Sequence, residues 1–164
     1  MKNNYLIAML IIVSLPILYT VYLKSTEDKY YPSVSSIVTD QNGNHMIFFS
    51  LMLLLSFLGI NYEKQRNNRI SFYSIYFLSA CVLMLCFFGP NLQCHISYAA
   101  LAFFSIVLFM ISTVKKSRIL SLLLMLELVI SGYLFYIYPK VFNGQIAFLT
   151  LFVTYFIYLH FLEN

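Results

Sequence analysis

Ile96-Ser97-Tyr98-Ala99-Ala100-Leu101-Ala102-Phe103-Phe104-Ser105-Ile106-Val107-Leu108-Phe109-Met110-Ile111-Ser112-Thr113-Val114 decides the fold of this chain. The stretch holds no Asp, Glu, Lys, Arg, Pro or Gly. At 1.5 Å rise per residue, a helix of this length spans about 28 Å, close to the ~30 Å of a bilayer's hydrocarbon core. Its polar residues are small hydroxyls and one tyrosine, which a helix tolerates in lipid. It does not alternate apolar and polar residues as a barrel strand does. A helix is the structure that satisfies every backbone group within such a segment.

Five more runs of this kind surround it. The six together cover residues 5–23, 46–62, 70–89, 96–114, 119–138 and 146–162. Composition agrees: 61% of the chain is hydrophobic and 10% is charged. A soluble domain is about half apolar and about a quarter charged. The expected fold is therefore all-α: one domain, residues 1–164, built as a six-helix transmembrane bundle. The first run is expected to stay as a helix rather than act as a signal peptide. It follows a single Lys2, contains Pro16, and continues into Val21-Tyr22-Leu23-Lys24 without a small-residue cleavage pattern.

The connectors give an orientation. Lys2, Lys64, Arg66, Arg69, Lys115, Lys116 and Arg118 fall on one side, and Lys24, Lys29 and Lys140 on the other. Seven against three places the first side, with both termini, in the cytoplasm. The net charge of +4 is thus a matter of topology, and no nucleic-acid partner is expected. Tyr5, Tyr22, Tyr62, Tyr73 and Tyr138 stand near run ends, as interfacial anchors do. Cys81, Cys86 and Cys94 fit no zinc or redox spacing.

Chemistry-bearing residues are few. The first non-cytoplasmic loop reads Tyr30-Tyr31-Pro32-Ser33-Val34-Ser35-Ser36, then Asp40 and Asn42-Gly43-Asn44-His45. Pro32 holds Tyr31 extended, the serines can bond nearby backbone, and Asn42-Gly43 is a turn signal. Such a loop is either a lid over the bundle mouth or an ordinary connector. His95 opens the fourth run on the same side. It pairs chemically with Ser33 or Ser35 as base and nucleophile, or else simply bonds a loop carbonyl. The absence of a Gly-x-Ser-x-Gly elbow favours the second reading. His160 belongs to the opposite side, so His45, His95 and His160 cannot share a zinc ion; Asp40 with His45 and His95 is the remaining metal set. Neither a metal nor a cofactor is expected. Glu127 is the one acid inside a run. An ionised acid there is costly, so it is expected to be protonated, paired, or facing a polar cavity, either as a headgroup or proton site or bonded to a neighbouring Ser or Tyr. Ser131 and Gly132 allow close helix approach one turn on.

Tyr31-Pro32-Ser33-Val34-Ser35-Ser36 resembles the aromatic-x-Pro-Ser-Val-Ser-Ala signature that follows the first span in the DRAM/Frag/Sfk family. His95-Ile96-Ser97-Tyr98-Ala99-Ala100 is similar to that family's histidine at the start of the fourth span. The sixth run departs from it: Val153-Thr154-Tyr155-Phe156 lacks an acid that the family often carries. The resemblance implies six helices with cytoplasmic ends. It also implies a lipid-handling role, probed at the step where a lyso-GPI is reacylated during GPI-anchor remodelling. Tyr31, Ser33, Ser35, Ser36, Asp40, His95 and Glu127 would then meet membrane lipid or a GPI glycolipid. The location implied is the Golgi or another endomembrane. A non-enzymatic modulator of autophagy or membrane lipid organisation is the alternative. A channel or transporter fits least, since Glu127 is alone in its run.

Overall fold

A computed structural model of the chain describes residues 2–26, 33–34, 36, 44–88, 93–114, 117–137 and 142–163. These residues form six helices: α1 (Lys2–Thr26), α2 (Asn44–Lys64), α3 (Arg69–Leu85), α4 (Gln93–Thr113), α5 (Arg118–Ile137) and α6 (Phe142–Glu163). Four of them contain segments long and apolar enough to cross a membrane: Asn4–Leu23, Met46–Lys64, Gln93–Thr113 and Phe142–Glu163. α3 is apolar but shorter, at 17 residues.

Local chemistry explains the ends. Asn67 adopts a φ of 62° between α2 and α3, a conformation in which asparagine is well tolerated. Asn68 then caps α3, its side-chain oxygen accepting from the Ile70 and Ser71 amides at 3.1 and 3.2 Å. At the other end of α3, the Cys86 and Phe87 amides donate three residues back, to Leu83 and Met84. These tighter bonds close the helix at Leu85. The sequence expectation carried this run to Gly89, because Cys86, Phe87 and Phe88 are as apolar as the helix before them. Within the helices, hydroxyls donate to carbonyls one turn back, as with Ser79 to Ile75 and Ser105 to Leu101. Those segments therefore carry polar side chains without orphaned donors.

Successive helices pack as antiparallel neighbours, α3 on α4 most extensively, and α4 also touches α6. The main core joins α3, α4, α5 and α6 through Ile75, Ile106, Phe109, Met110, Leu134 and Phe148, among others. Phe109 stacks on Phe156 and meets Phe152 and Tyr155 edge-on. α1 stands apart from this core. It packs along α2 and has no comparable interface with α6 among the described residues. It joins smaller clusters near its two ends: Leu23 with Phe48 and Phe142, and Leu6 and Met9 with Tyr62. The outward faces are apolar, with Leu18, Phe57 and Val129 all more than 60% exposed. A surface of that kind suits lipid and not water.

Two expectations change here. Gly132 has open space around it, so it does not mediate close approach. The close approach is at Gly144, where an added Cβ would lie 2.5 Å from the Leu134 side chain. Tyr62 is fully buried and is not an interfacial anchor, whereas Tyr22 and Tyr73 are exposed.

Candidate functional site

The gap between α1 and the main core is a cavity of about 310 Å³. That is within the range of small-molecule sites, about 300–1,000 Å³. α1, α2, α3, α4 and α6 line it, and α5 does not. Its length can be read from the helices. On α4 it runs from His95 to Ile106, on α2 from Phe48 to Gly59, on α3 and its cap from Ile75 to Cys86, and on α6 from Gln145 to Phe156. On α1 the lining runs somewhat longer, from Leu6 to Thr20, and each of the other four is eleven residues of rise, or about 17 Å. This is close to half of a ~30 Å hydrocarbon core, the depth of one leaflet. Pro16 and Gly59 lie along the wall; Pro16 lacks the amide that would bond the Ile12 carbonyl.

The wall is apolar, and no lining residue is charged. Thr20, His95 and Gln145 lie toward the end where α4 and α6 begin, and Ser56 and Ser79 nearer the other. His95 is 1% exposed. Its Nδ1 lies 2.8 Å from the Phe88 carbonyl oxygen, which can only accept, so Nδ1 carries the proton. Its Nε2 is buried and has no hydrogen-bond partner among the described residues. The early stop of α3 matters here, because it places the Phe88 carbonyl outside the helix and free to hold the ring.

Ser33 and Ser36 form a reciprocal turn beside the same end. The Ser36 amide donates to Ser33 Oγ at 3.2 Å, the Ser33 amide to Ser36 Oγ at 3.3 Å, and Ser36 Oγ to the Ser33 carbonyl at 2.6 Å. This matches the logic of a helix capping box. The Val34 amide donates to Gln145 Oε1 at 2.8 Å, pinning the turn to the first turn of α6. Val34 and Gln145 both line the cavity with His95. The structure thus brings the serine turn and His95 to one mouth. No hydrogen bond joins Ser33 to His95 among the described residues. Tyr31, Ser35 and Asp40 lie outside the described residues, as does the side chain of His45. Among the described residues no group of three metal-binding side chains forms. Cys81 and Cys86 are buried thiols, and Cys94 is exposed next to His95.

Glu127 does not belong to this mouth. It is fully buried on α5, in register with Leu120 and Leu134 of the main core, and does not line the cavity. Neither carboxyl oxygen has a partner among the described residues, so the expected bond to a neighbouring Ser or Tyr is absent there. Ser131 Oγ instead donates to the Glu127 backbone carbonyl.

Sequence reasoning missed two features. One is Gln145, whose partner lies 111 residues away; its only signal is an amide side chain opening an apolar helix. The other is a polar cluster at the opposite end of the bundle. Glu63 is 0% exposed and lies within α2, so Glu127 is not the one intrahelical acid. Arg66 Nη1 donates to Glu63 at 2.6 Å and Arg66 Nε to Glu163 at 2.7 Å. Ser71 Oγ donates to the other Glu63 oxygen. The Arg66 guanidinium lies over the Tyr62, Phe109 and Phe156 rings, and the Tyr62 hydroxyl pairs with His160 Nδ1. The sequence signal was an acid, Glu63, placed three residues before a base in an otherwise basic connector. His160 is therefore structural and distant from His95.

Comparison with family models, with curated proteins and with solved structures finds no match for this chain.

Proposed function

We propose that this is a six-span membrane protein that takes a lipid tail into its interior, and that it serves lipid remodelling of GPI anchors at the reacylation of a lyso-GPI. The observation that carries the lipid reading is the cavity: uncharged, one leaflet deep, and bounded by a helix that meets the rest of the bundle mainly through α2. α1 joins packed clusters near both ends, and its residues between them line the cavity, which suits a lipid tail that enters beside this helix. The GPI step rests on the resemblance of the Pro-Ser-Val-Ser turn and His95 to the DRAM/Frag/Sfk family. The bias of basic residues to the other connectors supports a mouth on the non-cytoplasmic face, which in a secretory-pathway membrane is where a GPI headgroup resides.

Deleting the gene tests the GPI step. Mass spectrometry of GPI lipids should show lyso-GPI accumulating, and unchanged GPI lipids would sink the reading. Cys94 tests the orientation, since it is the exposed thiol of the three. In sealed microsomes it should resist an impermeant maleimide until the membrane is opened. Labelling before opening would reverse the topology.

One observation favours a non-enzymatic role in lipid organisation. Ser33 Oγ accepts the Ser36 amide and is not engaged by His95, so among the described residues His95 does not activate Ser33. Under that reading the same cavity holds lipid without transferring an acyl group, and GPI lipids stay unchanged while lipid co-purifies with the protein.

A further inference from the structure

We infer that His95 selects the lipid in the cavity by its free hydroxyl, so that the site takes a hydroxyl-bearing lipid over the ester-capped form of the same lipid. The inference rests on the lipid-tail reading of the cavity and adds the chemistry of the head that sits at its mouth.

The direction of one hydrogen bond carries the argument. The Phe88 carbonyl fixes the His95 proton on Nδ1. No acid lines the cavity to balance a second proton, so the ring is neutral and Nε2 offers a lone pair. That lone pair is buried without a donor among the described residues. The protein does not supply one from the polar side chains of the wall. Thr20 donates to the Ile17 carbonyl and Ser79 to the Ile75 carbonyl, each on its own helix. Ser56 and the Gln145 side-chain amide also line the cavity, and neither donates to Nε2.

A buried acceptor without a donor is rare in folded proteins, and a ligand that supplies the donor gains what the empty site lacks. Three lipid head chemistries differ in what they offer this nitrogen. An ester brings only acceptors and sets its carbonyl oxygen against the Nε2 lone pair. A phosphate brings negative charge into a wall that has no Lys or Arg. A hydroxyl brings the required O–H. The order of preference is therefore hydroxyl first, and it follows from the tautomer that Phe88 imposes. His95 acts here as a specificity residue.

The test uses purified full-length protein in detergent and three probes with the same tail: monooleoylglycerol, its diacetate, and methyl oleate. The diacetate is larger than the parent and methyl oleate is smaller, so size alone cannot weaken both. Displacement of radiolabelled monooleoylglycerol should give both esters an affinity about five-fold weaker. His95→Phe should bring the three affinities together while methyl oleate still binds. His95→Gln, which keeps an acceptor, should retain part of the preference. Equal affinities in the parent protein overturn the hydroxyl inference and leave the cavity reading standing. No binding of any probe overturns the cavity reading itself. If His95→Phe fails to fold, the three-probe comparison on the parent protein decides alone.

Discussion

The two ends of the bundle spend their polar side chains differently. At the Glu163 end, Glu63, Arg66, Ser71 and Glu163 bind one another, and Tyr62 binds His160. Ring faces cover the guanidinium. At the His95 end, the serine turn is closed on itself and on Gln145, but His95, which lines the cavity, has a buried Nε2 without a partner among the described residues. Buried charges that answer one another hold a fold together, even with one nitrogen, Arg66 Nη2, left without a partner among the described residues. A neutral buried nitrogen without a partner beside a void is an invitation to a ligand. The contrast assigns structure to one end and recognition to the other.

The sharpest way to break the contrast is at Arg66. Its side chain is 4% exposed and answers two carboxylates, one of them fully buried. Arg66→Ala should cost about 3–5 kcal/mol, because it leaves the buried Glu63 without its cation. The measurement is thermal unfolding of the purified protein in detergent, followed by the loss of monodisperse material. A shift no larger than that of a surface substitution would show that this end is not the structural one.

The unequal legibility of the two ends has a physical cause. Hydropathy found the six long described helices, since each carries an extended apolar run whatever its partners. It overran α3, because the turn at Cys86, Phe87 and Phe88 is set by hydrogen bonds and not by polarity. His95 was legible as a lone titratable residue opening an apolar run. Its free nitrogen was not, since that depends on where the Phe88 carbonyl points. Gln145 was invisible because its partner is far along the chain. The charges of the Glu63 end were counted only for orientation. Counting by sign cannot reveal that Glu63, Arg66 and Glu163 converge.

Two smaller changes sharpen the comparison. Ser71→Ala removes the hydroxyl that donates to Glu63 and should cost about 1–3 kcal/mol, the range for a buried charged acceptor losing a donor. Gln145→Ala should cost about 1 kcal/mol, the net worth of one neutral hydrogen bond. The two should also differ in kind. Ser71→Ala lowers global stability, read by thermal unfolding. Gln145→Ala frees the turn, read as faster hydrogen exchange at Val34 while the amides of α4 keep their protection. Slower or unchanged exchange at Val34 would mean that Gln145 does not hold the mouth.

The smallest effect is expected at Glu127, which belongs to neither end. Its carboxyl is fully buried with neither oxygen bonded among the described residues, so deleting it removes no interaction described there. Met has a similar shape and no polar atoms to bury. Glu127→Met should therefore leave stability within about 0.5 kcal/mol of the parent or raise it, since replacing an unpaired polar group by an apolar one of like shape is neutral or favourable. Binding of monooleoylglycerol should also be unchanged, because Glu127 does not line the cavity. Both readouts have one informative failure. A loss of several kcal/mol, as large as that at Arg66, would require a partner for the carboxyl beyond the described residues, and would make the middle of the bundle a third polar centre. A loss of binding with stability intact would extend the recognition end through the core to α5.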